Sequence, residues 1–416
     1  MELVLIDSGL INKAGHSYML AKLVSQAMAR RSLRHRIFGL RGLDPAIAEE
    51  IGAIAHFSRS LYESESLRWS EKARNAAARM LLRARAISPA PSEQRSFDIL
   101  NKAYERDLRA LPPDVWQPGN IVCITAISQN QLLGLVRFLR GMPEAARPRV
   151  ACQLMFPPSY VPWGVTAKHG REFYSRAFVM AAPLIGKSLF FTVENKAMQE
   201  AYRNGFGIST RLLPVPFGVS TPPQLLEGRP CIGFFGDSKC DKGFHLLPGA
   251  IELCQKRGLD ARFLIQVQHS GWEERTVAAE HALRRLRGVE IIEGILPGDT
   301  YAAWTSRAGI MLLPYDPVAF GPDRGSGIFT ECMAAGRPII ASEGTFAGTS
   351  VANGEAEGEV FSPYTSEALA EAIERLIPRL AACRARAAGR AKAFALSHSP
   401  DAYIDVLLSC ARAQKY

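Results

Sequence analysis

The chain has 416 residues, of which 47% are hydrophobic and 22% are charged. This length is too great for one ordinary hydrophobic core and suits two domains of about 200 residues each. No apolar run approaches the roughly 18 residues that a membrane-spanning helix needs, and the start MELVLIDSGL lacks the basic segment of a secretion signal. We therefore expect a cytoplasmic protein. Its eight cysteines show no CxxC pair or metal-ligand spacing, which argues against disulfides and structural zinc.

The net positive charge of the chain comes from its first half. Residues 1–218 hold 29 Lys and Arg against 17 Asp and Glu, a net charge of +12, whereas residues 219–416 hold 21 against 23, a net charge of −2. A positive domain attracts anionic lipid headgroups, acidic glycans or nucleic acid, and charge alone does not choose among them. Because no nucleic-acid-binding motif accompanies the charge, we expect no nucleic-acid partner.

The first half alternates between strand-like and helix-like patterns. Short apolar runs occur in LVLID, RHRIFGL, NIVCITAI, RVACQLMF and SLFFTV, and a helix is predicted from about His16 to Arg30. Apolar runs separated by helices predict a parallel sheet that is covered on both faces. The loop SGLINKAGH follows the first strand, so that Gly15 and His16 open the first helix.

Residues 61–115 depart from this alternation and are predicted to form a helical insertion. Within it Arg68, Lys72, Arg79 and Arg83 share one helical face, here called the basic stripe, beside an apolar face. Two interpretations stay open. The basic stripe is either a solvated face whose apolar side packs on the domain, or part of an interfacial helix at the inner surface of an anionic membrane.

The segment RLLPVPFGVS, residues 211–220, is rich in Pro and Gly and is predicted to link two domains. After it the alternation restarts with CIGFFG, ARFLIQVQ, VEII, GIMLLPY and PIIAS. We therefore predict two doubly wound, parallel-sheet, Rossmann-like α/β domains over 1–215 and 219–398, facing one another across a cleft. Open sheets of this kind bind ligands at the carboxyl ends of their strands.

Two motifs in the second half carry the predicted chemistry. In DSKCDKGFHLL, Lys242 and Gly243 lead from the CIGFFG strand into a helix, and a Lys beside a helix N-terminus is suited to bind a diphosphate. In the second motif, GPDRGSGIFTECMAAGRPIIAS, a turn precedes the next predicted helix.

This second motif is the more informative of the two. The turn is formed by Gly325, Ser326 and Gly327, and it supplies a helix N-cap. Glu331 lies one turn further along the helix, where it can accept hydrogen bonds from a ribose diol. Asp323 lies in the loop before the helix, where it can accept hydrogen bonds from sugar hydroxyls.

The interval from Asp323 to Glu331 resembles the motif of an acid, seven residues and a second acid in retaining GT-B glycosyltransferases. The resemblance is strongest to the large family 4 type, which includes sucrose synthases and bacterial mannosyltransferases. Relatives usually have Glu at the first position followed by Gly-Phe-Gly, where this chain has Asp323 followed by Arg-Gly-Ser-Gly. The resemblance implies the GT-B fold, a nucleotide-sugar donor site in the second domain and catalytic roles for both acids.

The same resemblance extends to the diphosphate-binding residues. Relatives place an Arg directly after the last Gly of the strand and a Lys before a second Gly. Lys242 and Gly243 match the second pair, whereas Asp237 replaces the Arg, and Lys239 is the nearest basic substitute.

In the first domain, Gly15 and His16 resemble part of the glycine-rich loop that closes over donor and acceptor, and His16 is the third predicted catalytic residue. The resemblance further implies that the C-terminal helix, residues 399–416, returns to the first domain. No His follows a later first-domain strand where many relatives have one, because that region reads QLMFPPSY.

Together these features predict a hexosyltransferase that uses a UDP- or GDP-sugar and a polysaccharide or lipid-linked glycan acceptor. The family resemblance implies that the transfer retains the anomeric configuration. No Asp-x-Asp motif occurs, so we expect neither a required metal nor another cofactor. Two alternatives use the same fold: a degenerate, non-catalytic carbohydrate- or nucleotide-binding protein, and a nucleotide-sugar epimerase.

Overall fold

The computed structural model describes residues 1–13, 16–61, 92–158, 167–218, 221–223, 228–269, 271 and 273–412. The chain divides into two compact units, of which the first comprises Met1–Val215 with Pro400–Tyr416 and the second Pro216–Ser399. Each unit is built on one parallel sheet flanked by helices. No helix within the described ranges is long and apolar enough to cross a membrane.

The first unit contains a seven-stranded sheet with the order β3-β2-β1-β4-β5-β6-β7. Its strands are β1 (Leu3–Ile6), β2 (His35–Leu40), β3 (Ala53–Phe57), β4 (Ile121–Ile127), β5 (Arg149–Leu154), β6 (Leu189–Val193) and β7 (Arg211–Leu212). All neighbouring strands are parallel. The helices between them are α1 (His16–Arg30), α2 (Pro45–Ile51), α3 (Ser92–Arg109), α4 (Gln129–Arg140), α5 (Ala167–Ala181) and α6 (Lys196–Phe206).

Alternating side chains along these strands fill two cores, one on each face of the sheet. Val4 and Val122 lie in the core that includes side chains of α3, α4 and α5, whereas Leu5 and Cys123 lie in the core beneath α1. This period of two is what a strand geometry requires. All seven residues of β4 are buried, which explains its uninterrupted apolar sequence.

The second unit contains a six-stranded parallel sheet with the order β10-β9-β8-β11-β12-β13. Its strands are β8 (Cys231–Phe234), β9 (Arg262–Val267), β10 (Val289–Glu293), β11 (Ile310–Leu313), β12 (Ile339–Ser342) and β13 (Gly358–Phe361). The helices are α7 (Leu247–Lys256), α8 (Glu274–Leu283), α9 (Gly298–Arg307), α10 (Gly327–Ala335), α11 (Phe346–Ala352), α12 (Ser366–Leu376) and α13 (Leu380–Ser397). Two doubly wound parallel-sheet α/β domains are thus confirmed.

The last helix of the described chain, α14 (Pro400–Arg412), packs within the first unit. Its residues Tyr403, Ile404 and Leu407 are buried in the core beneath α1. Ion pairs join Arg31 to Asp401 at 2.9 Å and to Asp405 at 2.8 Å. Apolar burial supplies most of the stabilisation here, because these exposed ion pairs each contribute at most about 1 kcal/mol.

Two sequence predictions map differently onto the structure. The predicted linker over 211–220 begins with β7, which pairs with β6, so its first residues belong to the sheet. Of the predicted insertion over 61–115, residues 62–91, with the whole basic stripe, lie outside the described residues. The part that follows forms α3, which packs closely on α4 because Gly134 has no side chain: an added Cβ would lie 2.2 Å from the Asn101 carbonyl oxygen.

Candidate active site

The candidate site lies where the strand order of the second sheet reverses. β8 and β11 are neighbours in this sheet, and the chain leaves them towards opposite edges. Their loops therefore diverge from adjacent carboxyl ends and leave room for a ligand between them. The loop after β8 holds residues 235–243, and the loop after β11 holds residues 314–326. Both predicted donor-site motifs belong to these two loops.

The loop after β8 begins with a turn at Gly236, whose φ of +104° is a conformation that favours glycine. Its backbone N–H donates to Oε1 of Gln266 at 2.9 Å. The amide nitrogen of the same Gln266 side chain donates to the carbonyl of Gly294 at 2.7 Å. Gln266 is 3% exposed, so one buried amide ties the loop to the carboxyl ends of β9 and β10.

Gly243 brings the two loops into contact. Its φ is +74°, and an added Cβ would lie 1.8 Å from the carbonyl oxygen of Pro314, directly after β11. The backbone N–H of Asp316 also donates to the carbonyl of Asp241 at 2.8 Å. A residue with a side chain does not fit at position 243, so this glycine has a steric role.

The sequence predicts that the chain enters an α-helix directly after Lys242 and Gly243, but the structure does not show this. Cys240–Lys242 and Phe244–Leu246 form two short 3₁₀ turns, and α7 begins at Leu247. The left-handed conformation of Gly243 breaks any continuous helix at that point. The α-helix therefore begins four residues after Gly243, while Lys242 itself lies at the switch point, and its contact with a diphosphate stays a prediction.

Lys242 is half-buried between the two loops. A Cβ added to Gly236 would lie 3.5 Å from Lys242 Nζ and 4.0 Å from Cγ1 of Ile328, in the first turn of α10. The ammonium group and the start of α10 therefore border the same glycine. Burial lowers the pKa of Lys242, while the nearby carboxylates of Asp237 and Asp241 raise it. An anion placed here would find a cation that water solvates only in part.

Lys239 has a different environment. Its Nζ forms an ion pair with Asp237 at 3.0 Å, and its side chain is 34% exposed. Asp237 is the residue that replaces the Arg of related sequences, so the structure places an acid and its neutralising partner at this position. Since the charge of Lys239 is already balanced by Asp237, Lys239 offers less to a diphosphate than Lys242 does.

The loop after β11 ends in the helix cap that the sequence predicted. Ser326 is the N-cap of α10, and its Oγ accepts from the N–H of Phe329 at 3.4 Å. The hydroxyl of Tyr315 lies 3.0 Å from the same Oγ, which joins the beginning of the loop to its end. The N–H groups of Gly327 and Ile328 precede the first intrahelical hydrogen bonds and form the N-terminal end of the helix dipole.

Asp323, Arg324 and Gly325 lie in the middle of this loop and are half-buried. Burial raises the pKa of Asp323. Its Oδ1 lies 3.2 Å from the position of a Cβ added to Gly321, so the loop turns back on itself. The guanidinium of Arg324 packs 3.8 Å from the centre of the Phe320 ring and donates to the carbonyl of Ala319 at 2.9 Å.

Glu331 lies on α10, one turn beyond its N-terminus, as predicted. Its Oε2 accepts a 2.6 Å hydrogen bond from the hydroxyl of Tyr301, which lies on α9. Burial raises the pKa of Glu331, and the Tyr301 hydroxyl and the positive charge of Arg337 lower it. No sequence signal marks Tyr301, because it lies thirty residues before Glu331 and belongs to no motif.

Eight residues of the predicted donor site lie in the two adjacent loops and on α10. They are Lys239, Lys242, Gly243, Asp323, Gly325, Ser326, Gly327 and Glu331. Of the two first-domain residues, His16 is the exposed first residue of α1, and Gly15 lies outside the described residues. His16 belongs to the first unit, and the eight predicted residues between Lys239 and Glu331 belong to the second. The catalytic and binding roles of all ten residues stay predictions.

Comparison with known protein families supplies the class of chemistry. Residues 229–379 match the family model described as glycosyl transferases group 1. The chain is a glycosyltransferase. The matched region of this glycosyltransferase contains β8, β11 and both loops described above. No curated protein sequence matches the chain.

Solved structures similar to this glycosyltransferase share its GT-B fold over almost the whole chain. Sucrose-phosphate synthase from Thermosynechococcus elongatus is 14% identical, with a TM-score of 0.63 over 98% of this chain and 100% of that one. An α,α-trehalose-phosphate synthase (UDP-forming) from Burkholderia xenovorans, in complex with glucose-6-phosphate, is 11% identical, with a TM-score of 0.63 over 99% and 100%. A structure described as trehalose-6-phosphate from E. coli bound with UDP-2-fluoro glucose is 11% identical, with a TM-score of 0.64 over 100% of both chains. The predicted GT-B fold is confirmed.

Proposed function

We propose that the protein transfers a hexose from a UDP- or GDP-sugar to a polysaccharide or lipid-linked glycan, with retention of the anomeric configuration. One observation carries the donor part of this proposal. Lys242 Nζ and the first turn of α10 border the same glycine at the switch point of a glycosyl transferases group 1 domain. A half-buried cation beside a helix N-terminus is an arrangement that suits a diphosphate.

Each acidic residue receives a role that fits its position. Glu331 accepts hydrogen bonds from the ribose hydroxyls of the donor, one helical turn from the diphosphate. Asp323 accepts from hydroxyls of the transferred sugar, and His16 hydrogen-bonds the sugar or the acceptor. The bond between the sugar C1 and the diphosphate oxygen breaks as the acceptor oxygen attacks C1. The acceptor proton passes to the departing phosphate.

The charge that develops on the leaving diphosphate is stabilised by Lys242 and by N–H groups at the start of α10. We propose that this stabilisation needs no divalent cation. Across the described ranges, no group of three or more His, Cys, Asp or Glu side chains is arranged to hold a metal ion. Activity that persists in excess EDTA supports the proposal, whereas activity that EDTA removes and Mg²⁺ restores contradicts it.

The excess positive charge of residues 1–218 favours an acidic or membrane-bound glycan acceptor. A sugar phosphate is the second candidate acceptor. It is favoured by the glucose-6-phosphate that one of the similar structures binds. Both acceptors are anionic, so the charge distribution does not distinguish them.

Substitution of Glu331 by Ala tests the ribose contact. We expect Glu331→Ala to weaken nucleotide binding by about 1.5 to 3 kcal/mol, the range for a hydrogen bond to a charged group. Calorimetric titration measures this loss, and the purified variant is first checked for an unchanged circular dichroism spectrum. Equal affinity in the variant and the wild type would remove the ribose role from Glu331.

Transfer itself is tested by release of nucleoside diphosphate from UDP-glucose and GDP-mannose. Each donor is incubated alone, with lipid-linked glycan, with polysaccharide and with glucose-6-phosphate, and the product anomer is assigned by NMR. We expect one donor to be consumed in an acceptor-dependent reaction that keeps the donor configuration. An acceptor-independent change of the donor sugar would instead indicate epimerisation, and an inverted product would contradict retention.

A further inference from the structure

Tyr301 joins three elements of the second unit next to the candidate site. Its ring packs edge-on against Phe235, directly after β8, with ring centres 5.9 Å apart and planes at 84°. Its hydroxyl donates to Glu331 Oε2 on α10 at 2.6 Å. A single side chain from α9 thus contacts both the first loop and the carboxylate of the second motif.

The helix that carries Tyr301 is itself held in place from the far side of α10. Arg337 is 4% exposed and donates from Nε to the carbonyl of Ala308 and from Nη2 to the carbonyl of Thr305, both at 2.9 Å. These carbonyls lie at the C-terminal end of α9, where the helix leaves acceptors unpaired and where a cation is favourable. Because Arg337 comes two residues after the end of α10, its hydrogen bonds fix the position of α9 relative to Glu331.

The proton of this hydrogen bond belongs to Tyr301. Burial raises the pKa of Tyr301 well above its usual value, and the neighbouring Glu331 carboxylate raises it further. The phenol therefore stays protonated at neutral pH and donates, while Glu331 accepts as a carboxylate. Such a charge-assisted hydrogen bond fixes the direction of the carboxylate as well as its charge.

We propose that Tyr301 is a positioning residue for the nucleotide donor: its hydroxyl orients the Glu331 carboxylate, so that it can accept hydrogen bonds from the donor ribose. This inference rests on the proposed function, because it assumes that Glu331 binds the ribose. It adds a residue on α9 that acts on the nucleotide only through Glu331. Removal of the hydroxyl should therefore matter only for ligands that have ribose hydroxyls.

The pH dependence of nucleotide binding gives a second test of the role of Tyr301. The titratable and charged groups near Glu331 include Tyr301 from α9, Cys332 from α10, Arg337 after α10 and Tyr315 after β11. Burial raises the pKa of Cys332 to about 11 and that of Tyr315 further above its usual value, so neither titrates between pH 5 and 8. Nucleotide binding should therefore weaken as the pH falls through the pKa of Glu331. Loss of the Tyr301 donor should move that midpoint to higher pH.

The test compares UDP with 2′,3′-dideoxy-UDP, and GDP with its dideoxy analogue, by calorimetry on the wild type and on Tyr301→Phe. We expect the variant to lose about tenfold in affinity for the ribonucleotide that binds and less than twofold for its dideoxy analogue. Tyr202→Phe is the matched control, because that hydroxyl also makes a 2.6 Å hydrogen bond, to the carbonyl of Phe156 in the first unit. The control should bind both nucleotides as the wild type does.

The other outcomes distinguish failure of the Tyr301 role from failure of the proposed donor site. Equal losses for the ribonucleotide and the dideoxy analogue, or no loss for either, would overturn the role of Tyr301 while the donor site stands. An unchanged pH midpoint in Tyr301→Phe would also overturn it. If the wild type binds neither UDP nor GDP, the proposed function fails, and the positioning role fails with it.

Discussion

Lys242→Met is expected to weaken binding of the donor nucleoside diphosphate by about 2 to 5 kcal/mol, the range for truncating one partner of a buried charge pair. Lys242 is the half-buried cation beside the N-terminus of α10, and Met retains most of its length and apolar volume. The diphosphate should therefore lose a charge-assisted contact without a new cavity. Calorimetry with UDP and uridine, or GDP and guanosine, separates this loss from any effect on the nucleoside.

Two comparisons make this prediction specific. Lys239→Met should weaken diphosphate binding less than Lys242→Met does, because Lys239 already forms an ion pair with Asp237. Equal losses for nucleoside and diphosphate in Lys242→Met would instead place Lys242 outside the diphosphate site.

The stability of Lys242→Met gives an internal control. Because burial lowers the pKa of Lys242, the folded protein holds this proton less firmly than the unfolded chain does. The charged Lys therefore costs stability at neutral pH, and that cost is relieved only as the pH rises from the lowered folded pKa towards 10.5. We expect the variant to unfold at the same temperature as the wild type or higher, so lost binding would not reflect lost structure.

Gly243→Ala is expected to lower the free energy of unfolding of the second unit by about 2 to 5 kcal/mol. Roughly 1 to 2 kcal/mol comes from the left-handed conformation and about 1 to 3 kcal/mol from crowding against neighbouring atoms. The crowding is severe here because the added Cβ would lie 1.8 Å from the carbonyl oxygen of Pro314. Either the loop after β8 or the loop after β11 must move, and nucleotide binding should fall with stability.

Gly258→Ala is the matched control for Gly243→Ala. Gly258 has a φ of +83°, close to the +74° of Gly243, but an added Cβ would meet nothing within 4 Å. Gly258→Ala should lower the free energy of unfolding only by the cost of the left-handed conformation, roughly 1 to 2 kcal/mol. Urea unfolding followed by circular dichroism measures both variants. Equal destabilisation of the two variants would show that contact between the loops does not depend on the absence of a side chain at Gly243.

The fold could be predicted from the sequence because its signals are local. Apolar runs such as those of β4 and β11 are buried along their whole length, and the helix after Ser326 begins and ends at a side-chain cap and a left-handed Gly336. One detail within that helix was wrong. The helical spacing of Ile328, Cys332 and Ala335 predicts a buried stripe, but Phe329 is buried in place of Ile328, which is half-buried. Adjacent apolar residues at 328 and 329 leave the phase of the helix undetermined.

Contacts within the candidate site could be predicted only where a motif marked them. The turn at Lys242 was found, but the two 3₁₀ turns before α7 were not, because the left-handed state of Gly243 depends on the nearby Pro314 carbonyl. The ion pair between Lys239 and Asp237 depends on how the loop folds back. Tyr301 meets Glu331 only through the packing of α9 on α10, which no spacing in the sequence encodes.

Titration with nucleotides tests whether the second unit holds a nucleotide-sugar donor site. UDP, GDP and ADP are each titrated by calorimetry into the full-length protein, with and without Mg²⁺, and into Glu331→Ala. We predict that UDP or GDP binds in the absence of Mg²⁺ and that Glu331→Ala weakens this binding. If none of the three nucleotides binds under either condition, the assignment of a donor site to the loops after β8 and β11 is contradicted.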